Sequence, residues 1–305
     1  MKERNLSKFI GSLVGSAVGD SLGARVEGAS GFQQVHEIAP RYTDDTAMTL
    51  GVAESLIDRK GYDYWDMAQR FIKNYEKEPW RRYGAGPPRI FRMMKSGRIG
   101  FGMLDREIFP EGSFGNGAAM RTAPIGLLYH DDPRTLREIA YHTAGITHSH
   151  ELALEGAALQ ACAVALAVLA DPQDIRNKEF IGALRMFTKP GPYQEKLKTM
   201  VRLLDEEAGK ARVVKELGNG EEAVNSVPTA IYAFLANPGF ESAVTYAVGL
   251  GGDTDTIGAM CGAIAGACYG VEGLPARWKD KVENKDMIEG LAKRLWEVKE
   301  GLKKS

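Results

Sequence analysis

Glycine recurs at every fourth position along Gly11, Gly15, Gly19 and Gly23, and again along Gly258, Gly262, Gly266 and Gly270. On a helix this spacing gathers each run onto one face. Glycine costs about 1 kcal/mol relative to alanine in a helix interior, so four in register need a packing reason. Close approach of another helix supplies one, and two matching runs predict that these helices touch or share a neighbour. Every residue from Ile257 to Ala267 is apolar or glycine, so the second helix should be buried nearly all round.

That buried helix begins with Gly251-Gly252-Asp253-Thr254-Asp255-Thr256. The glycines permit a tight turn, and Asp253 or Thr254 is placed to cap the first helical turn. Capping accounts for one such residue, not for two carboxylates and two hydroxyls in four positions. Buried carboxylates without counter-charge cost several kcal/mol each or take up protons, which implies a missing cation. Asp and Thr oxygens favour Mg²⁺, Mn²⁺ or Ca²⁺ over zinc. A second junction, Arg41-Tyr42-Thr43-Asp44-Asp45-Thr46, leads into Ala47, Met48, Leu50, Val52, Ala53 and Leu56 at helical spacing. Alone it reads as a cap with acids at the positive helix end. Paired with the Asp-Thr-Asp-Thr run, it predicts two converging junctions that cage one or two divalent ions. Asp20 and Glu27 lie at or just beyond the end of the first apolar helix.

Between these junctions, residues 61–80 show helical spacing, with Tyr62, Trp65, Ala68, Phe71, Ile72 and Tyr75 on one side, ending at Pro79. Residues 81–88 are expected to be a loop because of their Gly and Pro content, with Arg81 and Arg82 solvated or meeting phosphates. Gly112-Ser113-Phe114-Gly115-Asn116-Gly117 is a glycine-rich turn running into an apolar helix, of the kind whose backbone N–H groups hold phosphate oxygens. Phe114 within it is placed to stack on a flat ring. Thr147 or Ser149 should cap the helix that follows, and His148 is read as a phosphate or hydroxyl contact or as a structural histidine ahead of a zinc ligand. Residues 179–217 read as helical with charged faces, 221–236 as an apolar helix kinked or begun by Pro228, and Ile288, Leu291, Leu295, Val298 and Leu302 mark a surface helix with one buried face. No alternating strand pattern is evident, so the expectation is one compact, all-α domain over 1–305.

The formal charge of −1 argues against a nucleic-acid binder that works by phosphate neutralisation. Leu152–Ala170 approaches a membrane span, but Glu155 and Gln160 interrupt it and a buried core helix is the better reading. The charged amino terminus lacks a leucine-rich signal core. Cys162, Cys261 and Cys268 lack CxxC spacing and read as small buried hydrophobes. A reduced, cytoplasmic, monomeric protein with no membrane partner is expected.

Taken in order, Gly19-Asp20-Ser21-Leu22-Gly23 with Glu27, Tyr42-Thr43-Asp44-Asp45-Thr46, Tyr83-Gly84-Ala85-Gly86, Gly115-Asn116-Gly117-Ala118-Ala119-Met120-Arg121, Thr147-His148-Ser149 and Gly251-Gly252-Asp253-Thr254-Asp255-Thr256 resemble the motifs of the ADP-ribosylglycohydrolase family. The resemblance implies an orthogonal multi-helix bundle with two Mg²⁺ or Mn²⁺ ions in a central cleft. It implies Thr43, Asp44, Asp45, Asp253, Asp255 and Thr256 as metal ligands, and Glu27 with Asp44 as the proton-handling residues. Gly84, Ser113, Phe114, Gly115, Asn116, Gly117 and His148 are implied to contact ADP-ribose, Phe114 standing where relatives often carry tyrosine.

The implied reaction cleaves the bond between the distal ribose and a modified side chain through an oxocarbenium-like state, releasing ADP-ribose. The Arg82–Gly86 turn and the His148 region resemble the branch acting on O-linked serine and poly(ADP-ribose) more than the arginine branch. The partner is then an ADP-ribosylated protein or ADP-ribose derivative. The competing readings are a catalytically silent ADP-ribose binder or crystallin-like protein, and a metal-dependent phosphohydrolase.

Overall fold

A computed structural model describes residues 2–29, 31–98 and 102–302; Met1 and residues 303–305, the ends of the expected 1–305 domain, lie outside the described residues. The order is α1 (Lys2–Gly23), α2 (Asp44–Arg59), α3 (Tyr64–Lys77), α4 (Gly86–Lys95), α5 (Ala123–Leu128), α6 (Pro133–Ala144), α7 (Glu151–Leu169), α8 (Asn177–Phe187), α9 (Pro192–Asp205), α10 (Lys210–Leu217), α11 (Ala223–Ala236), α12 (Phe240–Val248), α13 (Thr254–Tyr269), α14 (Ala276–Lys279) and α15 (Lys285–Leu302). Extended pairing among the described residues is confined to one isolated bridge, Gly115 with Glu222. The fold is all-α.

The two glycine runs meet face to face. A Cβ built on Gly19 would lie 1.9 Å from the Gly258 carbonyl oxygen, on Gly15 2.5 Å from that of Gly262, and on Gly11 2.4 Å from that of Gly266. As α1 ascends, its partners on α13 descend, so the helices are antiparallel with their backbones in contact. From Thr254 to Cys268 every residue of α13 is buried. Around this pair, Ser12 Oγ donates to the Ala263 carbonyl and Gln160 Nε2 on α7 donates to that of Met260. Lys8 Nζ donates to the Val168 and Ala170 carbonyls, occupying acceptors that the end of α7 leaves unpaired. α7 is a core helix, with 78% of its apolar window buried, and its cysteine Cys162 is free and buried like Cys261 and Cys268.

Local rules decide several boundaries differently from the sequence pattern. α4 begins at Gly86, inside the segment expected to be loop, because Pro87 and Pro88 sit in the first turn, where no backbone N–H is needed. α3 is capped by Asp63 and ends at Lys77, and Trp65 is half exposed instead of joining its buried face. His150, not Thr147 or Ser149, caps α7 by accepting from the Leu152 N–H. The 179–217 segment divides into α8, α9 and α10, and Pro228 lies within α11. Arg81 is fully buried, against the default of a solvated arginine. Its guanidinium lies 3.8 Å from the centre of the Tyr42 ring and pairs with Glu78 and Glu283 at 2.7 and 2.9 Å.

Gly262→Ala should destabilise the protein by about 2–3 kcal/mol, because the added carbon would sit 2.1 Å from the Gly15 oxygen on rigid backbone. Gly290→Ala on α15, with open space around it, should stabilise by about 0.5–1 kcal/mol. Denaturant unfolding of both variants checks the contrast.

Candidate active site

The antiparallel register brings the C-terminal end of α1 against the N-terminal end of α13, and α2 starts beside both. Asp20, fully buried, makes that junction rigid. Its carboxylate accepts from the Thr43 N–H at 3.0 Å, the Thr46 N–H at 3.1 Å and the Thr46 hydroxyl at 2.5 Å, so it caps α2 from another helix. The Asp44 N–H donates to the Arg81 carbonyl at 2.7 Å, which ties the same helix start to the buried Arg81.

Glu27 performs the equivalent task for α13. Its Oε2 accepts from the Thr254 N–H and hydroxyl, each at 2.7 Å, whereas Asp253, at the N-cap position, makes no side-chain cap bond. Neither Asp253 nor Thr254 therefore caps this helix with its own side chain. Asp253 instead accepts from Asn116 Nδ2, and Asp255 accepts from the Thr256 N–H at 3.0 Å. Carboxylate oxygens of Glu27, Asp253 and Asp255 lie within 4.8 Å of one another. Asp45 Oδ2 accepts from the Thr43 hydroxyl at 3.0 Å and the Thr256 hydroxyl at 3.4 Å, while its Oδ1 is buried without a hydrogen-bond partner.

Crowding these acids in a dry pocket has a price in protonation. Burial raises Asp20 to about 6 despite its hydrogen bonds, and raises Asp255 to about 10, with Asp253 and Glu27 adding to the effect. Burial, then the charge of Asp20, pushes Asp44 and Asp45 well above the carboxylate range, and burial raises Asp253. A hard divalent cation fits this donor set: oxygen ligands, an orphaned buried Asp45 oxygen, and carboxylates that shed protons readily once a positive charge is present.

Glu27, Asp44, Asp45, Asp253 and Asp255 line a cleft of ≈ 300 Å³. Beside them is the Gly115–Asn116–Gly117 turn, a short 3₁₀ segment separated from α5 instead of running directly into it. Asn116 joins the turn to the acids, donating to Asp253 and also to Ser226 Oγ at 3.0 Å. A Cβ on Gly117 would lie 3.2 Å from His148 Cε1, so glycine is what lets the imidazole pack on the turn. His148 is buried, and desolvation followed by the nearby Arg121 charge lowers it to about 3, which leaves it neutral. Arg121 is fully buried beneath the turn and desolvation lowers it to about 9.

Glu27, Asp44, Asp45, Gly84, Ser113, Gly115, Asn116, Gly117, His148, Asp253, Asp255 and Thr256 all line the cleft. Thr43 stands behind the wall, hydrogen-bonded to Asp45, and Phe114 is half exposed with its ring edge-on to His150. Several contributors carried no signal in the sequence. Phe109 and Glu221 line the cleft. Buried Asp105 holds two loops together, accepting from the Ser113 N–H at 2.8 Å and the Ser149 N–H at 2.7 Å.

The fold and cleft define an all-helical protein with a cleft that joins a hard-oxygen cluster to a side-chain-poor turn. Residues 1–304 match the family described as ADP-ribosylglycohydrolase. The ADP-ribosylhydrolase ARH3 of Danio rerio is 37% identical over 338 residues, spanning 96% of this chain and 91% of that protein. The ADP-ribosylhydrolase ARH3 of Homo sapiens is 35% identical over 349 residues, spanning 97% and 94%. A solved ADP-ribosylglycohydrolase-related protein complex superposes with a TM-score of 0.77 at 29% identity, over 97% of this chain and 99% of that one. This chain belongs to the ADP-ribosylglycohydrolase family and is a hydrolase of ADP-ribose glycosidic bonds.

Unfolding returns Asp20 and Asp255 to ordinary carboxyls near 3.8, so above that pH the folded protein holds protons that the unfolded chain has lost. Their contribution to stability is complete below 3.8 and is lost as pH rises through about 6 for Asp20 and about 10 for Asp255. Bound cation favours the ionised forms and offsets the loss. Thermal scans should therefore show Mg²⁺ raising the melting temperature more at about pH 8 than at about pH 5, relative to chelator. An equal rise at both would contradict the assignment.

Proposed function

We propose that this chain is a divalent-cation-dependent hydrolase that releases ADP-ribose from O-linked acceptors, serine side chains or poly(ADP-ribose), in preference to arginine. The observation that carries the reading is the meeting, in one cleft, of the acid cluster with the glycine turn and its neutral histidine. Thr43, Asp44, Asp45, Asp253, Asp255 and Thr256 would hold the cations, taken as two Mg²⁺ or Mn²⁺, which when bound would supply Lewis-acid orientation of the ribose hydroxyls and a more acidic water.

The chain's own residues divide the remaining work. The missing side chains at Gly115 and Gly117 leave room for a diphosphate, with Ser113 and His148 at its edge and Phe114 at the rim for the base. Glu27 is held through Oε2, and its other oxygen has no hydrogen bond to a described residue, so it is free to take or give a proton at the scissile linkage. Asp44, reaching the cleft from α2, is the second proton-handling group. Arg82 supports the O-linked preference. It lines the cleft and donates to the Ala24 carbonyl at 3.2 Å, three residues before Glu27, and its charge would oppose an arginine acceptor bound near Glu27.

Serine-linked and arginine-linked ADP-ribosylated peptides, each incubated with Mg²⁺ and with EDTA, test this reading by chromatography of the products. Cation-dependent release of ADP-ribose from the serine peptide supports it; release from the arginine peptide alone overturns the linkage, and AMP as product overturns the bond. Glu27→Gln should lower turnover by ~100-fold or more while ADP-ribose binding, followed by calorimetry, stays near wild type. Unchanged turnover would remove Glu27 from the reaction.

A further inference from the structure

Beneath the glycine turn, Arg121 is fully buried and makes no hydrogen bond to a carboxylate among the described residues. Nη2 donates to the Thr143 carbonyl and to Thr147 Oγ1, both at 2.8 Å, the guanidinium carbon lies 4.6 Å from the centre of the Phe71 ring, and Nε has no partner. Guanidinium can only donate, so Thr147 Oγ1 accepts from it. The threonine hydroxyl then has its own proton to place, and His148 Nδ1 stands 2.7 Å away. A neutral imidazole carries one N–H. If Nδ1 accepts from Thr147, the proton must be on Nε2. That nitrogen faces the Gly115–Gly117 turn, 3.4 Å from where a Gly117 Cβ would be, and makes no hydrogen bond to a described residue.

We propose that Arg121 and Thr147 form a buried relay that locks His148 as its Nε2–H tautomer, presenting that N–H to the cleft as a neutral donor to an oxygen of bound ADP-ribose. The direction is imposed from the arginine outward. The other tautomer would leave the buried Thr147 hydroxyl without an acceptor among the described residues and would present a nitrogen lone pair to an anionic ligand, where oxygen lone pairs repel it. Arg121 and Thr147 also border the cleft, but their hydrogen bonds run to Thr143, to each other and to His148, so they act as positioning residues. The ligand named here rests on the functional reading above; the tautomer does not.

Two measurements keep these parts distinguishable. In ligand-free wild type, nitrogen NMR of the His148 ring, assigned by its loss in His148→Gln, should show a protonated Nε2 and an unprotonated Nδ1. A protonated Nδ1 overturns the relay whatever the enzyme does. Thr147→Val removes the hydroxyl at nearly constant shape and should leave the ring as a mixture of tautomers. It should weaken ADP-ribose binding and raise KM by roughly tenfold, about the value of one hydrogen bond, with kcat nearly unchanged because the contact is made equally in ground and transition states. Thr147→Ser keeps the hydroxyl and should restore both the tautomer and the affinity, which a purely space-filling threonine would not require. Wild-type affinity in a folded Thr147→Val protein overturns the proposed contact. Failure of the wild type to bind ADP-ribose overturns the functional reading and the destination of this N–H, while the nitrogen shifts still decide the tautomer.

Discussion

Backbone-to-backbone contact between α1 and α13 is the constraint on which the rest depends. Four glycines on α1 and three on α13, with Gly270 as the C-cap of α13, remove the side chains that would separate them, and the contact continues into the site, where a Cβ on Gly23 would lie 2.1 Å from the Thr254 carbonyl oxygen. Glu27, four residues beyond Gly23, is thereby delivered to the first turn of α13. Side-chain packing tolerates small shifts by changing rotamers, but two backbones in contact cannot slide without collision. The position of the acids relative to one another is thus set by the least adaptable interface in the molecule.

That rigidity also confines charge. Burial raises the proton affinity of Asp20, Asp44, Asp45, Asp253 and Asp255, and repulsion from neighbouring acids adds to it at all of these but Asp20. Asp20 differs from the others in role. Its hydrogen bonds face inward to α2, and it acts as a cap that keeps the start of α2 aimed at the cleft. Stability given up at the acids is available as affinity for a cation, the usual relation between a strained site and its ligand.

The parts of this organisation that were legible in sequence are those encoded by short-range repetition. The glycine stripes, the two loop-to-helix junctions and the glycine turn each announce themselves within a few residues, and the absence of strand periodicity fixed the fold class. What could not be read depends on partners far away in the chain. Glu27 rather than Asp253 caps α13 across more than two hundred residues. Arg81 is buried because Glu283 and Tyr42 come to meet it, and nothing around position 81 foretells that. Asp105, in an unremarkable segment, proves to join the 113 and 149 loops. The early start of α4 has a local cause: prolines break a helix interior but begin helices in the first turn, where Pro87 and Pro88 sit.

On the proposed reading, the two helix starts would hold divalent cations between them. Crystals grown with Mn²⁺ and measured for anomalous scattering test it most directly. Peaks bridging Asp44 and Asp45 on one side and Asp253 and Asp255 on the other, with Asp45 Oδ1 among the ligands, are the predicted result. A clear map of the ordered site without such peaks would contradict the account.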